Sequence, residues 1–170
     1  MIGIIEVYGG MLLKALGYTM LLTLLSLFFA MIIGLIFSLM NVGKNRFWNL
    51  IGTIYVDAIR GVPLIVLAFF VYFGVPSGVK MLGVQGFRLT ALQAGTIALS
   101  MNCGAYMAEI IRAGIESIDK GQMEASRSLG LTYAKSMRLV VLPQAFRSMI
   151  RYIINQLIIT LKDTSIFSFI

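Results

Sequence analysis

The chain has 170 residues, 59% hydrophobic and 12% charged, with a mean hydropathy of +0.91. Soluble domains carry about twice that charge and cannot bury so much apolar surface at this size, so most of the chain is solvated by lipid. The net charge of +7 reads as basic loops held on the cytoplasmic side rather than as nucleic-acid contact; the lack of His excludes His-ligated metals and Ser-His triads, and the single Cys103 excludes a disulfide framework.

Residues Met1 to Tyr18 lack a basic n-region followed by a small-residue cleavage site, so no removable signal peptide is expected. A bilayer-crossing helix needs about 20 apolar residues. No charge interrupts Ala15 to Gly43, which predicts a first span at Gly17–Val42, followed by Lys44 and Arg46. A second span is expected at Ile54–Phe73, beginning in the weakly polar stretch of Asp57 and Arg60 and helical only in part. Gly61-Val62-Pro63 and Gly74-Val75-Pro76 punctuate it. A third, Leu89–Ala108, lies between Arg88 and Glu109.

The polar stretch from Arg112 to Arg151 carries seven basic residues against Glu116, Asp119 and Glu124, which makes it cytoplasmic and puts the N-terminus outside. A fourth span starts near Tyr152, is interrupted by Lys162 and Asp163, and ends at Ile170. The fold class expected is all-α: a polytopic helical bundle of about four spans. It forms one transmembrane domain over 1–170 that reads as C-terminally truncated, with a cytoplasmic loop at 113–147.

That loop contains helix punctuation. Asp119 is placed to cap a helix Gly121–Leu129, with Gln122 completing a capping box. Gly130 fits the left-handed position after it. Thr132 starts a second helix, Tyr133–Val141, which Leu142-Pro143 should break. Met123, Leu129, Leu131, Met137, Val140 and Val141 offer an apolar face. By chemistry alone, this is equally an interfacial helix pair resting on lipid headgroups or a docking element for a soluble partner.

Glu124-Ala125-Ser126, then Gly130, then Val140, Leu142 and Pro143 resembles the E-A-A loop of ATP-binding-cassette importer permeases. Three residues separate Ser126 from Gly130, and nine separate Gly130 from Val140. Arg60-Gly61-Val62-Pro63-Leu64, Tyr72 to Pro76, Ala105 to Arg112, Gly121-Gln122 and Lys162 to Ser165 resemble segments of the polar amino-acid branch. The departures are Leu67 where that branch often has Gln, Arg151-Tyr152 where it often has two prolines, and the lack of one further span.

The resemblance implies a coupling role for Gly121, Glu124, Ala125, Ser126, Gly130, Val140, Leu142 and Pro143. It implies a separate cytoplasmic ATPase subunit, a second permease subunit and an extracytoplasmic amino-acid-binding protein, in a bacterial cytoplasmic membrane. No Gly-rich phosphate loop occurs in the chain, so no cofactor is expected on it. ATP and Mg²⁺ belong to the ATPase, and the chain is not itself an enzyme.

Charged residues in spans are functional candidates. Arg60, Asn102, Glu109, Lys162 and Asp163 are the candidates for a substrate path or gate. Each has a structural alternative: Glu109 with Arg112 and Asp57 with Arg60 as i,i+3 pairs, Lys162 and Asp163 as inter-span pairs, and Ser100 and Asn102 as interhelical hydrogen bonds. Cys103 reads as a small packing residue, and Gly34, Gly95 and Gly104 as sites of close helix approach. An ATP-independent transporter or channel, and a non-transporting membrane fragment, remain the alternatives.

Overall fold

The computed structural model describes the backbone of residues 2–43 and 45–169 and the side chains of 8–43 and 45–168; Lys44 and Ile170 lie outside the described residues. The described backbone is helical, with no strand. Helix α1, Ile2–Val42, starts well before the expected Gly17. At 1.5 Å per residue it is about 60 Å long, twice a hydrocarbon core.

The expected second span is split. Val62 precedes a proline, and such residues are pushed out of the α region; it adopts φ −100°, ψ 129° and ends α2, Arg46–Gly61. The apolar run resumes as α3, Leu64–Phe69, a π turn, Phe70–Gly74, and α4, Val75–Met81. Here Gly74-Val75-Pro76 does not stop the helix. The Val75 N–H bonds to the Phe70 carbonyl five residues back, and the extra residue relieves the clash a proline ring makes with the preceding turn.

Helix α5, Ala91–Glu116, opens on a complete capping box between Thr90 and Gln93, and continues beyond the expected Ala108. Among the described residues, two segments are long and apolar enough to cross a bilayer by themselves, Tyr8–Val42 and Leu64–Met81. Leu13, Leu24 and Phe28 on α1 are more than 60% exposed, as lipid-facing residues are.

Helix α6, Lys120–Ser128, is capped by Asp119, which accepts from the Gly121 N–H. The expected capping box is not formed: the Gln122 side-chain oxygen instead accepts from Gln144 Nε2 at 3.3 Å. Thr132 caps α7, Tyr133–Ser136, as expected. The break at Leu142-Pro143 does not occur. A second π turn, Met137–Val141, carries the helix into α8, Leu142–Asp163. The Leu142 N–H bonds to the Met137 carbonyl, so Pro143 is accommodated in the same way as Pro76.

Consequently the helix that holds the expected fourth span starts ten residues before Tyr152, and 113–147 includes the end of α5 and the first turns of α8. Lys162 and Asp163 end α8 rather than interrupting it. A 3-10 segment, Thr164–Phe169, follows.

The core lies along α5. Its Ala94 and Ala98 pack against Leu67, Ala68 and Val71, and its Cys103 and Met107 against Ala30. Its Ile111 and Ile115 pack against Val141, Ala145 and Met149. Leu67 therefore fills a core position. Small residues let α1 and α5 approach closely: a Cβ at Gly34 would lie 2.6 Å from Met107 Cβ, and one at Gly104 2.7 Å from Ile33. Ser100 takes the structural alternative, its hydroxyl donating to the Thr96 and Ser26 carbonyls.

Candidate functional site

Four polar side chains from three helices line one cavity of about 440 Å³: Arg60 at the end of α2, Asn102 on α5, and Gln156 and Asp163 on α8. Asn102 and Gln156 are 7% and 6% exposed. The break at Val62-Pro63 ends α2 at the cavity edge and so presents Arg60 there. Gln156 and Asp163 are seven residues apart, two helical turns, and share one face of α8.

Of the sequence candidates, the structure brings together Arg60, Asn102 and Asp163. Lys162 is not with them; it faces a larger, mostly apolar cavity of about 760 Å³ beside Tyr18, Leu22 and Phe167. Gln156 and Tyr106, which also line the site, were not among the candidates. The adjacent amides Asn155 and Gln156 within the mostly apolar run Tyr152–Leu161 were the available signal for the first.

A second polar cavity of about 340 Å³ lies toward the end of the bundle that carries α6, lined by Asn41, Asn49, Asp57, Arg60, Glu109 and Arg112. Glu109 is paired as the i,i+3 spacing indicates. Arg112 donates to both its carboxylate oxygens, at 2.6 and 3.0 Å, and to Glu116 at 2.6 Å. Those hydrogen bonds, with the guanidinium charge, hold the Glu109 carboxyl below its ordinary range. The pair's contribution is therefore full above the ordinary carboxylate range and is lost as pH falls through the depressed value. Both side chains are about a third exposed, so Glu109→Gln is expected to cost about 1 kcal/mol or less. Thermal unfolding in detergent checks this; a much larger loss would give Glu109 a role beyond this pairing.

Asp57 and Arg60 do not form the expected pair. Among the described residues Arg60 makes no ion pair, and its guanidinium lies over the Tyr106 ring, 5.1 Å from the centroid.

The α6 segment forms a separate feature. Ser126 is buried, with its hydroxyl on the Met123 carbonyl. Met123, Met137 and Val141 anchor the segment to α5 and α8. Gly121, Glu124, Ala125, Leu142 and Pro143 are exposed and Val140 is half-buried. Leu129, expected on the apolar face, is instead 85% exposed. Gly130 has φ +84°, and the turn closes with Leu131 N–H on the Ser126 carbonyl and Gly130 N–H on the Arg127 carbonyl, a Schellman motif.

Residues 28–170 match the family of binding-protein-dependent transport system inner membrane components. Among similar proteins of Bacillus subtilis (strain 168), the probable glutamine ABC transporter permease protein GlnM is 39% identical over 88% of this chain and 66% of its own length. The L-cystine transport system permease protein TcyB is 42% identical over 89% and 62%. This chain thus spans about two thirds of the length of the curated relatives it matches. A crystal structure of an amino acid ABC transporter with histidines superposes with a TM-score of 0.85 at 36% identity, covering 96% of this chain and 73% of that one. Inward-facing MetNI methionine transporter shares the fold, with a TM-score of 0.74 at 24% identity over 92% and 73%.

Proposed function

The chain belongs to the family of binding-protein-dependent transport system inner membrane components, and from that premise we propose that it is the multi-pass permease subunit of an ATP-driven importer of polar amino acids in a bacterial cytoplasmic membrane. The observation that carries the substrate class is the cavity of Arg60, Asn102, Gln156 and Asp163. A free α-amino acid presents a carboxylate and an ammonium a few ångströms apart. Arg60 supplies the cation for the first and Asp163 the anion for the second, with the Asn102 and Gln156 amides serving either. A volume of about 440 Å³ lies within the range of small-molecule sites. The glutamine and cystine named for the relatives fit this chemistry.

The exposed face of α6 and its turn form the surface for a cytoplasmic ATPase. Glu124 offers a charge, Ala125 a close approach, and Leu129 an apolar knob at the tip. Gly121 and Gly130 shape the two ends. Met123, Met137 and the Gln122–Gln144 hydrogen bond tie the segment to α8. That helix opens at Leu142-Pro143, just after Val140, and Ser126 is buried on the inner side of α6. A pull on α6 therefore moves the helix that carries Gln156 and Asp163. ATP and Mg²⁺ act on the ATPase, and a second permease subunit and an extracytoplasmic binding protein complete the importer. Alternating access then follows from rigid-body motion biased by nucleotide.

The test is uptake of labelled glutamine, arginine and cystine by the assembled transporter in vesicles. Asp163→Asn is expected to raise KM at least tenfold, with assembly and basal ATP hydrolysis unchanged. Transport of sugars or peptides in place of amino acids, or uptake without ATP, would reject the reading.

A further inference from the structure

Arg60 lines both polar cavities, the one with Asp163 and the one with Glu109 and Asp57. Carboxylates therefore flank it on either side, yet among the described residues it pairs with none, and its guanidinium rests on the face of Tyr106 at 5.1 Å. The Glu109 carboxylate is already held at both oxygens by Arg112. We propose that Tyr106 is a positioning residue: its ring holds Arg60 unpaired between the two cavities, so that the cation stays available to the carboxylate of an incoming amino acid and can follow it toward the α6 end.

The physical basis is a difference between two attractions. A ring face attracts a guanidinium weakly enough to be exchanged for a carboxylate, but strongly enough to keep a flexible arginine in place. Without the ring, Arg60 falls to a carboxylate of the protein. Pairing with Asp163 would remove both charges that the substrate needs; pairing with Asp57 would withdraw the cation from the cavity that holds Asp163.

The proposal rests on reading the cavity of Arg60, Asn102, Gln156 and Asp163 as an amino-acid site, and the test separates the two. Binding to the assembled transporter is measured for L-glutamine and L-arginine, each against the amine left when its carboxylate is removed. Wild type is expected to prefer the amino acid. Tyr106→Leu is expected to lower that preference about tenfold, and Tyr106→Phe, which keeps the ring face, to preserve it within about twofold. Assembly with the ATPase should be the same in all three. A wild-type preference that survives in Tyr106→Leu overturns the proposal and leaves the site reading standing. Equal loss in Tyr106→Phe and Tyr106→Leu also overturns it, since the hydroxyl rather than the ring face would then matter. A wild type with no preference for the carboxylate, or no binding of either amino acid, overturns the site reading and the proposal with it.

Discussion

Replacing Gly34 by leucine is expected to prevent the bundle from packing, while the same change at Gly17 on the same helix is expected to be nearly silent. At Gly34 the first added carbon would lie 2.6 Å from Met107 Cβ, 3.2 Å from the Ala108 amide nitrogen and 3.3 Å from the Gly104 carbonyl oxygen. Two of those are backbone atoms of α5 and the third is fixed to it, so no rotamer change can clear them. The helices must separate, and with them the contacts around Ala30, Cys103 and Met107. Overpacking of this kind costs about 1–3 kcal/mol in many cores, and the upper end or beyond is expected where backbone is met directly. Nothing lies within 4 Å of a Cβ at Gly17. Resistance to unfolding in a graded detergent series measures the difference. Equal stability of the two variants would mean that α1 and α5 do not approach at Gly34 as described.

The second large effect is expected at Gly130. Its φ of +84° is open to glycine and tolerable for asparagine, but costs a β-branched residue about 1–2 kcal/mol. Gly130→Val should let the turn relax out of the left-handed region. Restoring it on docking would then cost about tenfold in affinity, by the conversion of about 1.4 kcal/mol per decade. Retention of the ATPase through co-purification, and ATP-driven uptake, should both fall by about that factor, whereas Gly130→Asn should retain most of each. Beyond its chain neighbours nothing lies within 4 Å of a Cβ added there, so bulk alone gives no reason for a loss within this chain. Wild-type retention by Gly130→Val would remove α6 and its turn as the docking element.

These two glycines differ in how readable they were. Gly130 follows a short helix that Asp119 starts, and a helix end calls for a residue that accepts positive φ; the local chain contains the whole argument. Gly34 was legible only as a small residue in an apolar helix. Its neighbours, Met107 and Ala108, lie more than 70 positions away, and nothing local to Gly34 names them.

The prolines show the same limit from the other side. A proline removes a donor and crowds the preceding turn, so Pro76 and Pro143 were expected to end helices. In both places a π turn two residues earlier absorbs the mismatch. Whether a helix breaks or widens depends on what holds it on either side. Buried Val71 and Val141 hold these two in line. Pro63 does break the helix: Val62, the residue before it, turns extended, and α2 ends there.

By itself the sequence determined the membrane as solvent, the all-helical class, the basic loop with its capped helix and glycine turn, and the family resemblance. The resemblance rests on matched motifs; the rest follows from composition, periodicity and short-range geometry. Only the tertiary structure decided which polar residues meet. It brought Arg60, Asn102 and Asp163 together with the unanticipated Gln156, turned Lys162 to another cavity, and placed Arg60 on Tyr106 instead of Asp57. The physical reason is that a side chain's partners across a bundle depend on helix rotation and crossing, which packing along α5 fixes and which local sequence does not encode.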